Sequence, residues 1–142
     1  MKKDDNCIFC KIVEGKIPAA KIYDNDTVFA FLDIHPVNKG HTLVCPKAHS
    51  RNMLEDDDKD LAACIHTIKM VAKGVMKATG ATGFNLISNI NPSAGQAVFH
   101  THFHIIPRFD DDGLRHWPQK KYTENEIDDL KELIKITLNN LV

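Results

Sequence analysis

The chain has 142 residues, with 18 Lys plus Arg against 19 Asp plus Glu and a net charge of −1. Hydrophobic residues make up 43% and charged residues 26%, the balance of a soluble globular protein large enough to bury a core without cross-links. There is no basic excess to hold a nucleic acid or an anionic membrane, no apolar run that would span a bilayer, and no signal-peptide pattern in residues 1–6, so a cytoplasmic protein without nucleic-acid or membrane partners is expected.

Along the chain, Cys7-Ile8-Phe9-Cys10 comes first. In a reducing compartment this spacing reads as a metal knuckle or a redox pair rather than half of a disulfide. A short helix is predicted at residues 9–14, closed by Gly15. Strands follow at 21–24, 28–32 and 41–46, separated by Asp24-Asn25-Asp26 and by Pro36-Val37-Asn38-Lys39-Gly40. The acidic run Glu55-Asp56-Asp57-Asp58 suits the start of a helix over 56–79. In that helix Leu61, Cys64, Ile65, Ile68, Ala72, Val75 and Met76 recur at three- and four-residue spacing, and Gly80 stops it. Cys45 and Cys64 read as small buried hydrophobes; His41 and His66 read as surface residues.

A strand at 84–89 leads through Asn91-Pro92-Ser93-Ala94-Gly95 to a strand at 96–106, ended by Pro107. Asp110-Asp111-Asp112 reads as a solvated turn, and Trp117 as a packing residue or part of a flap over a site. The last helix runs from Glu124, with Thr123 and Glu126 as a capping box and Ile127, Leu130, Ile134, Leu138 and Leu141 on one face. Strands joined by tight turns, then helix, strands and helix, predict an α+β fold with an antiparallel sheet.

Three of the eight histidines fall in His100-Thr101-His102-Phe103-His104. On a strand the three would share one face, roughly 6.5 Å apart. Two chemistries compete for them. They could ligate a catalytic zinc, or a neutral imidazole could attack phosphorus and form a phosphohistidine. The small-residue turn Ser93-Ala94-Gly95 and the neutral donor Gln96 favour phosphorus chemistry, because backbone N–H groups there can approach phosphate oxygens.

Residues 95–106, Gly95-Gln96-Ala97-Val98-Phe99-His100-Thr101-His102-Phe103-His104-Ile105-Ile106, resemble the signature of the histidine-triad (HIT) family. Cys7-Ile8-Phe9-Cys10-Lys11-Ile12, Phe29-Ala30-Phe31-Leu32-Asp33-Ile34-His35-Pro36 and His41-Thr42-Leu43-Val44-Cys45-Pro46-Lys47-Ala48-His49 extend the similarity over residues 7–109. It is greatest to Hint-like and bacterial members.

The resemblance implies a single HIT domain over 1–142, with the signature strand at 95–106 and a C-terminal helix at 124–142. It implies a five-stranded antiparallel sheet with two main helices, in a homodimer with a continuous sheet. The implied activity is hydrolysis or transfer at the α-phosphorus of purine nucleoside phosphoramidates or related nucleotide derivatives. His102 would be the nucleophile, and His104 would contact phosphate and assist the leaving group. Asp33 would hold the ribose; Asn89, Gly95, Gln96 and Ala97 would face the phosphate. Ile8, Phe9, Ile12, Phe31 and Ile34 would form the base slot. Cys7, Cys10, His49 and His100 would hold one structural zinc. Ala97 and Leu32 depart from residues common in Hint-like members. A zinc-stabilised nucleotide-binding module with little catalysis and a Fhit-like dinucleoside polyphosphate hydrolase are the alternatives.

Overall fold

The structure, a computed structural model, describes residues 1–142. Three helices and five strands succeed one another as α1 (Ile8–Val13), β1 (Lys21–Asp24), β2 (Val28–Leu32), β3 (Thr42–Pro46), α2 (Asp58–Thr79), β4 (Gly83–Ile87), β5 (Phe103–Arg108) and α3 (Glu126–Leu141). Every strand pairing is antiparallel, and the sheet order is β1-β2-β3-β5-β4. The chain divides into two compact units, Met1–Asp112 and Gly113–Val142.

In the first unit the sheet separates two cores. β2 is Val-Phe-Ala-Phe-Leu, and its first four residues are buried. Alternation sends Val28 and Ala30 to one face and Phe29 and Phe31 to the other. Val28, Ala30, Val44, Phe103 and Ile105 pack with Cys64, Ile68, Val71, Ala72 and Val75 of α2. On the opposite face Phe29, Phe31, Leu43 and Cys45 pack with Cys7, Phe9, Cys10 and Ile12 of the α1 region. A strand buried on both sides needs a continuous apolar run, and β2 has one.

Local signals set the helix ends. The Asp57 carboxylate accepts from the Lys59 N–H at 3.0 Å, and Gly80 ends α2 in the left-handed conformation at φ 75°, which an L side chain adopts only at a cost. Gly15 follows α1 at φ 76°. Cys45 is fully buried and its thiol is pushed well up; burial pushes the Cys64 thiol up to about 12. Both behave as core residues.

Three expectations are corrected. Residues 96–102 are not strand: β5 begins at Phe103, so only His104 of the three histidines lies on it. β5 also continues through Pro107 to Arg108. β3 pairs with β5 no further than Thr42 opposite Ile105, so beyond that point one flank of β5 is open and a residue without an N–H is tolerated. Finally, the 110–112 run is not simply solvated. Asp112, with its side chain only 6% exposed, takes Arg108 Nε at 2.7 Å and Nη2 at 3.0 Å. It also accepts from Asn38 Nδ2 and the Phe109 N–H, each at 3.1 Å.

In the second unit α3 begins at Glu126. The Glu126 carboxylate accepts from the Thr123 N–H at 2.8 Å and from its hydroxyl at 3.2 Å. The hydroxyl therefore donates to the carboxylate, and only the Glu half of the capping box forms. Trp117 is 76% exposed.

Candidate functional site

A cavity of about 390 Å³ opens on the α1 face of the sheet. Ile8, Phe9 and Ile12 of α1, Phe31 of β2 and Ile34 just beyond it form apolar walls. Asp33, Asn89, Gly95, Ala97, His102 and His104 supply the polar rim and floor. Every residue expected to meet substrate lines this cavity except Gln96. Gln96 is buried with its amide engaged elsewhere: Nε2 donates to Arg51 O at 2.7 Å and to Val98 O at 3.2 Å, and Oε1 accepts from the Asn91 N–H at 2.8 Å. It braces the turn that carries Gly95, whose φ of 88° is what requires a glycine there. Ile17, Leu43 and Val98 also line the cavity and were not anticipated. A larger groove of about 570 Å³ lies between β1, β2 and α2, but Lys39 and Tyr23 are its only ionisable residues and no chemistry converges on it.

Hydrogen bonds assign the histidine protons. His102 Nδ1 lies 2.6 Å from the His100 carbonyl, which only accepts. The proton is therefore on Nδ1, and Nε2 keeps a free lone pair. His41 Nδ1 accepts from the Val37 N–H at 3.1 Å, so its proton is on Nε2. That Nε2–H lies 2.9 Å from His104 Nδ1 and donates to it, which leaves the His104 proton on Nε2. His102 and His104 thus have opposite tautomers, with ring centroids 5.0 Å apart.

Burial keeps these rings neutral. It lowers His104 to about 4, helped by His102 and His41. It lowers His102 and His41 too, against the pull of the His100 carbonyl on His102 and of Asp33 on both. His41, expected at the surface, is 3% exposed. The signal was present: counting back by two from Cys45 and Leu43 puts His41 on the cavity face, where Leu43 pairs with His104. Asp33 Oδ1 accepts from the His35 N–H at 2.8 Å, and Oδ2 stands 3.7 Å from His41 Nε2.

The first triad histidine belongs to a different cluster. His100 Nδ1 is 3.4 Å from Cys7 Sγ, 3.6 Å from Cys10 Sγ and 3.3 Å from His49 Nδ1; His49 Nδ1 is 3.4 Å from Cys10 Sγ. A tetrahedral ion at ordinary Zn–S and Zn–N lengths has ligand–ligand edges of about 3.3–3.6 Å for N–N and N–S pairs. The spacing fits. His100 Nε2 donates to Pro46 O at 2.8 Å, which leaves the Nδ1 lone pair facing the cysteines. Burial pushes the Cys10 thiol up to about 11, opposed by a backbone hydrogen bond from Asp4. Cys7, Cys10, His49 and His100 form a possible metal-binding site.

Asp33, His41 and His104 also converge, but His41 carries its proton on the nitrogen that would have to ligate. His41 and His104 are instead joined by a hydrogen bond at 2.9 Å, with the Asp33 carboxylate 3.7 Å from His41 Nε2. A zinc shared by all three triad histidines does not fit either, since His100 faces the cysteines while His104 faces His41.

These features define an α+β protein with an open antiparallel sheet, a histidine-floored cavity on one face and a Cys₂His₂ cluster beside it. Residues 14–111 match the HIT domain, and the chain belongs to that family. It is similar to SMU.412c of Streptococcus mutans, with 39% identity, TM-score 0.90, and coverage of 99% of this chain and 88% of the other. The histidine triad nucleotide-binding protein of Candida albicans shares 31% identity at TM-score 0.84, over 96% of this chain and all of that one. The adenylylsulfatase HINT3 of Arabidopsis thaliana is 40% identical over 110 residues, covering 78% of this chain and 56% of HINT3. No helix is long and apolar enough to cross a membrane.

Proposed function

We propose that this protein hydrolyses or transfers nucleotidyl groups at the α-phosphorus of purine nucleoside phosphoramidates and related nucleotide derivatives. One observation carries the reading: a bare Nε2 on His102 and a protonated Nε2 on His104 at the floor of one apolar-walled cavity. His102 Nε2 attacks phosphorus, forming an N–P bond as the bond to the leaving group breaks. The His104 Nε2–H supplies the proton that the leaving group takes up. In the second half, water attacks phosphorus, its proton passes to His104, and the N–P bond breaks. The base lies between Ile8, Phe9, Ile12, Phe31 and Ile34, and the Asp33 carboxylate accepts from the ribose hydroxyls. Gly95, without a side chain, lets phosphate approach the turn, where the Ala97 N–H would donate to it; the Gly95 N–H is already given to Pro92 O at 2.9 Å. Asn89 adds an amide donor, and Gln96 holds the turn.

The likeness to an adenylylsulfatase and a nucleotide-binding protein supports this substrate class. Cys7, Cys10, His49 and His100 are a closed ligand set, so the ion they would hold is a structural zinc that ties α1 to the loop before β5. β4 is an edge strand with Phe84 38% and Leu86 44% exposed. That edge supports a homodimer in which two β4 strands continue one sheet.

The test is turnover of a fluorogenic adenosine phosphoramidate and of diadenosine polyphosphates by the wild type, His102→Ala and His102→Asn. Loss of turnover with nucleotide binding retained, and a nucleotidyl adduct seen by mass spectrometry only in proteins that keep His102, is expected. Undiminished turnover in either variant overturns the assignment. Binding without turnover in the wild type would make the chain a nucleotide-binding module.

A further inference from the structure

The segment ahead of the cysteine knuckle wraps the four-residue cluster. The His49 N–H donates to Lys2 O at 2.8 Å, and the Cys7 N–H donates to Asp4 O at 3.1 Å. The Asp4 side chain then turns toward a ligand: its Oδ2 stands 3.7 Å from His49 Nε2. Its other oxygen, Oδ1, accepts from the Asn6 N–H at 2.8 Å, which fixes the plane of the carboxylate.

His49 presents Nδ1 to the cluster, 3.4 Å from Cys10 Sγ. An imidazole that ligates through Nδ1 carries its proton on Nε2, and that N–H needs an acceptor to hold the ring in place. His100 has such an acceptor in the Pro46 carbonyl at 2.8 Å. For His49 the group in that position is the Asp4 carboxylate. At 3.7 Å it is beyond a direct hydrogen bond and within reach of one through a single water. The two histidines of the cluster thus face different partners, one a backbone carbonyl at hydrogen-bond distance and one a carboxylate 3.7 Å away on a side chain that is 45% exposed.

We propose that Asp4 is the positioning carboxylate of this metal site, orienting His49 through its Nε2–H and thereby setting how firmly the ion is retained. The proposal rests on the reading of Cys7, Cys10, His49 and His100 as a zinc site. Asp4 acts through His49 and is not itself a ligand. An outer partner of this kind is typically worth about 10- to 100-fold in metal affinity. Asp5, the next residue, provides a control with the same change of charge in the same segment.

The experiment measures zinc content of the purified full chain and the rate and equilibrium of zinc transfer to a chromogenic chelator, for wild type, Asp4→Ala, Asp5→Ala, His49→Ala and the Asp4→Ala/His49→Ala pair. Asp4→Ala is expected to lose zinc about 10- to 100-fold more readily than wild type. Asp5→Ala should match wild type, and Asp4→Ala should add nothing once His49 is gone. Equal retention by the Asp4 and Asp5 variants overturns the proposal and leaves the zinc reading standing. An Asp4→Ala effect that persists undiminished in the His49→Ala background also overturns it, by showing that Asp4 acts through the fold of the segment. Absence of zinc from the wild-type chain, with no uptake on addition of zinc, overturns the metal reading and this proposal together.

Discussion

His41 touches neither the apolar slot nor the knuckle, yet it decides which nitrogen of His104 carries a proton. Truncating it leaves His104 free to take either tautomer. His41→Ala is expected to lower kcat by about 100-fold, the scale of a misplaced reacting group, with KM for the nucleotide changed far less. His41→Gln, whose amide N–H can still donate, should recover part of the loss in the same steady-state assay. Burial of the cavity histidines also makes stability depend on pH. His104 titrates near 4 in the folded chain against an ordinary 6.5, so between those values the unfolded chain binds the extra proton. Its contribution is full above about 6.5 and is lost as pH falls toward 4; His41 shifts in the same direction. Thermal melts of wild type and His104→Gln between pH 7.5 and pH 4.5 should show the gap between them changing in the direction of lost wild-type advantage as acid is added. A constant gap would contradict this. The triad was plain in the sequence, whereas the role of His41 was not, because a lone histidine at a strand start carries no marker of the ring it will meet.

At the scale of single elements, α2 and α1 depend on different things. The 22-residue α2 has its own signals: an Asp57 N-cap, Asp58 and Asp60 in the first turn and Gly80 beyond the last. Asp57→Ala should cost about 1 kcal/mol, a fall of about 2–4 °C in Tm for a chain of this size, with kcat unchanged. α1 has only six residues, too few to persist without tertiary support. Phe9 packs edge-on to Phe31 at 5.4 Å and to His102 at 5.1 Å, and the cysteines bracket it. On the proposed zinc reading, removing the ion with a chelator is expected to lower Tm and weaken nucleotide binding together, since the same helix carries Ile8, Phe9 and Ile12 of the cavity wall. Calorimetry and nucleotide titration before and after chelation check this; an unchanged affinity in the stripped protein would separate the metal from the slot. Acid should have the same effect, because thiolate and imidazole ligands must be deprotonated to hold the ion.

For the molecule as a whole, the sheet acts as a partition. Its α2 face carries the larger apolar core, and its α1 face carries the cavity and the cluster of Cys7, Cys10, His49 and His100. Phe84 and Leu86 remain exposed on the edge strand β4, and Ile65 of α2 is exposed as well. An apolar edge of this kind invites pairing with a second copy. Leu86→Lys is expected to shift sedimentation of a dimer toward the monomer while leaving the far-ultraviolet spectrum unchanged. A wild-type chain that sediments as a monomer at all concentrations would remove the dimer.

Most of the architecture was legible in the residue order, because strand and helix periods are local. The continuous apolar run Val28 to Leu32, the spacing of Leu61 to Val75 and the stops at Gly15 and Gly80 place their elements within a few residues. The residues expected at the cavity were legible through the resemblance their motifs carry, and all but Gln96 line it. Three things were decided only by tertiary contact. His100 and His102 left the strand because one ring is drawn to Cys7, Cys10 and His49, from positions 93, 90 and 51 residues distant, while the other is held by a backbone carbonyl. Gln96 became a brace because its amide finds Arg51 and Asn91 before it can reach the cavity. The protons of His102 and His104 took opposite nitrogens because a carbonyl faces one ring and the Nε2–H of His41 faces the other. A sequence states which groups can donate or accept, but a tautomer depends on which partner lies across a gap of three ångströms, and only the folded chain sets that.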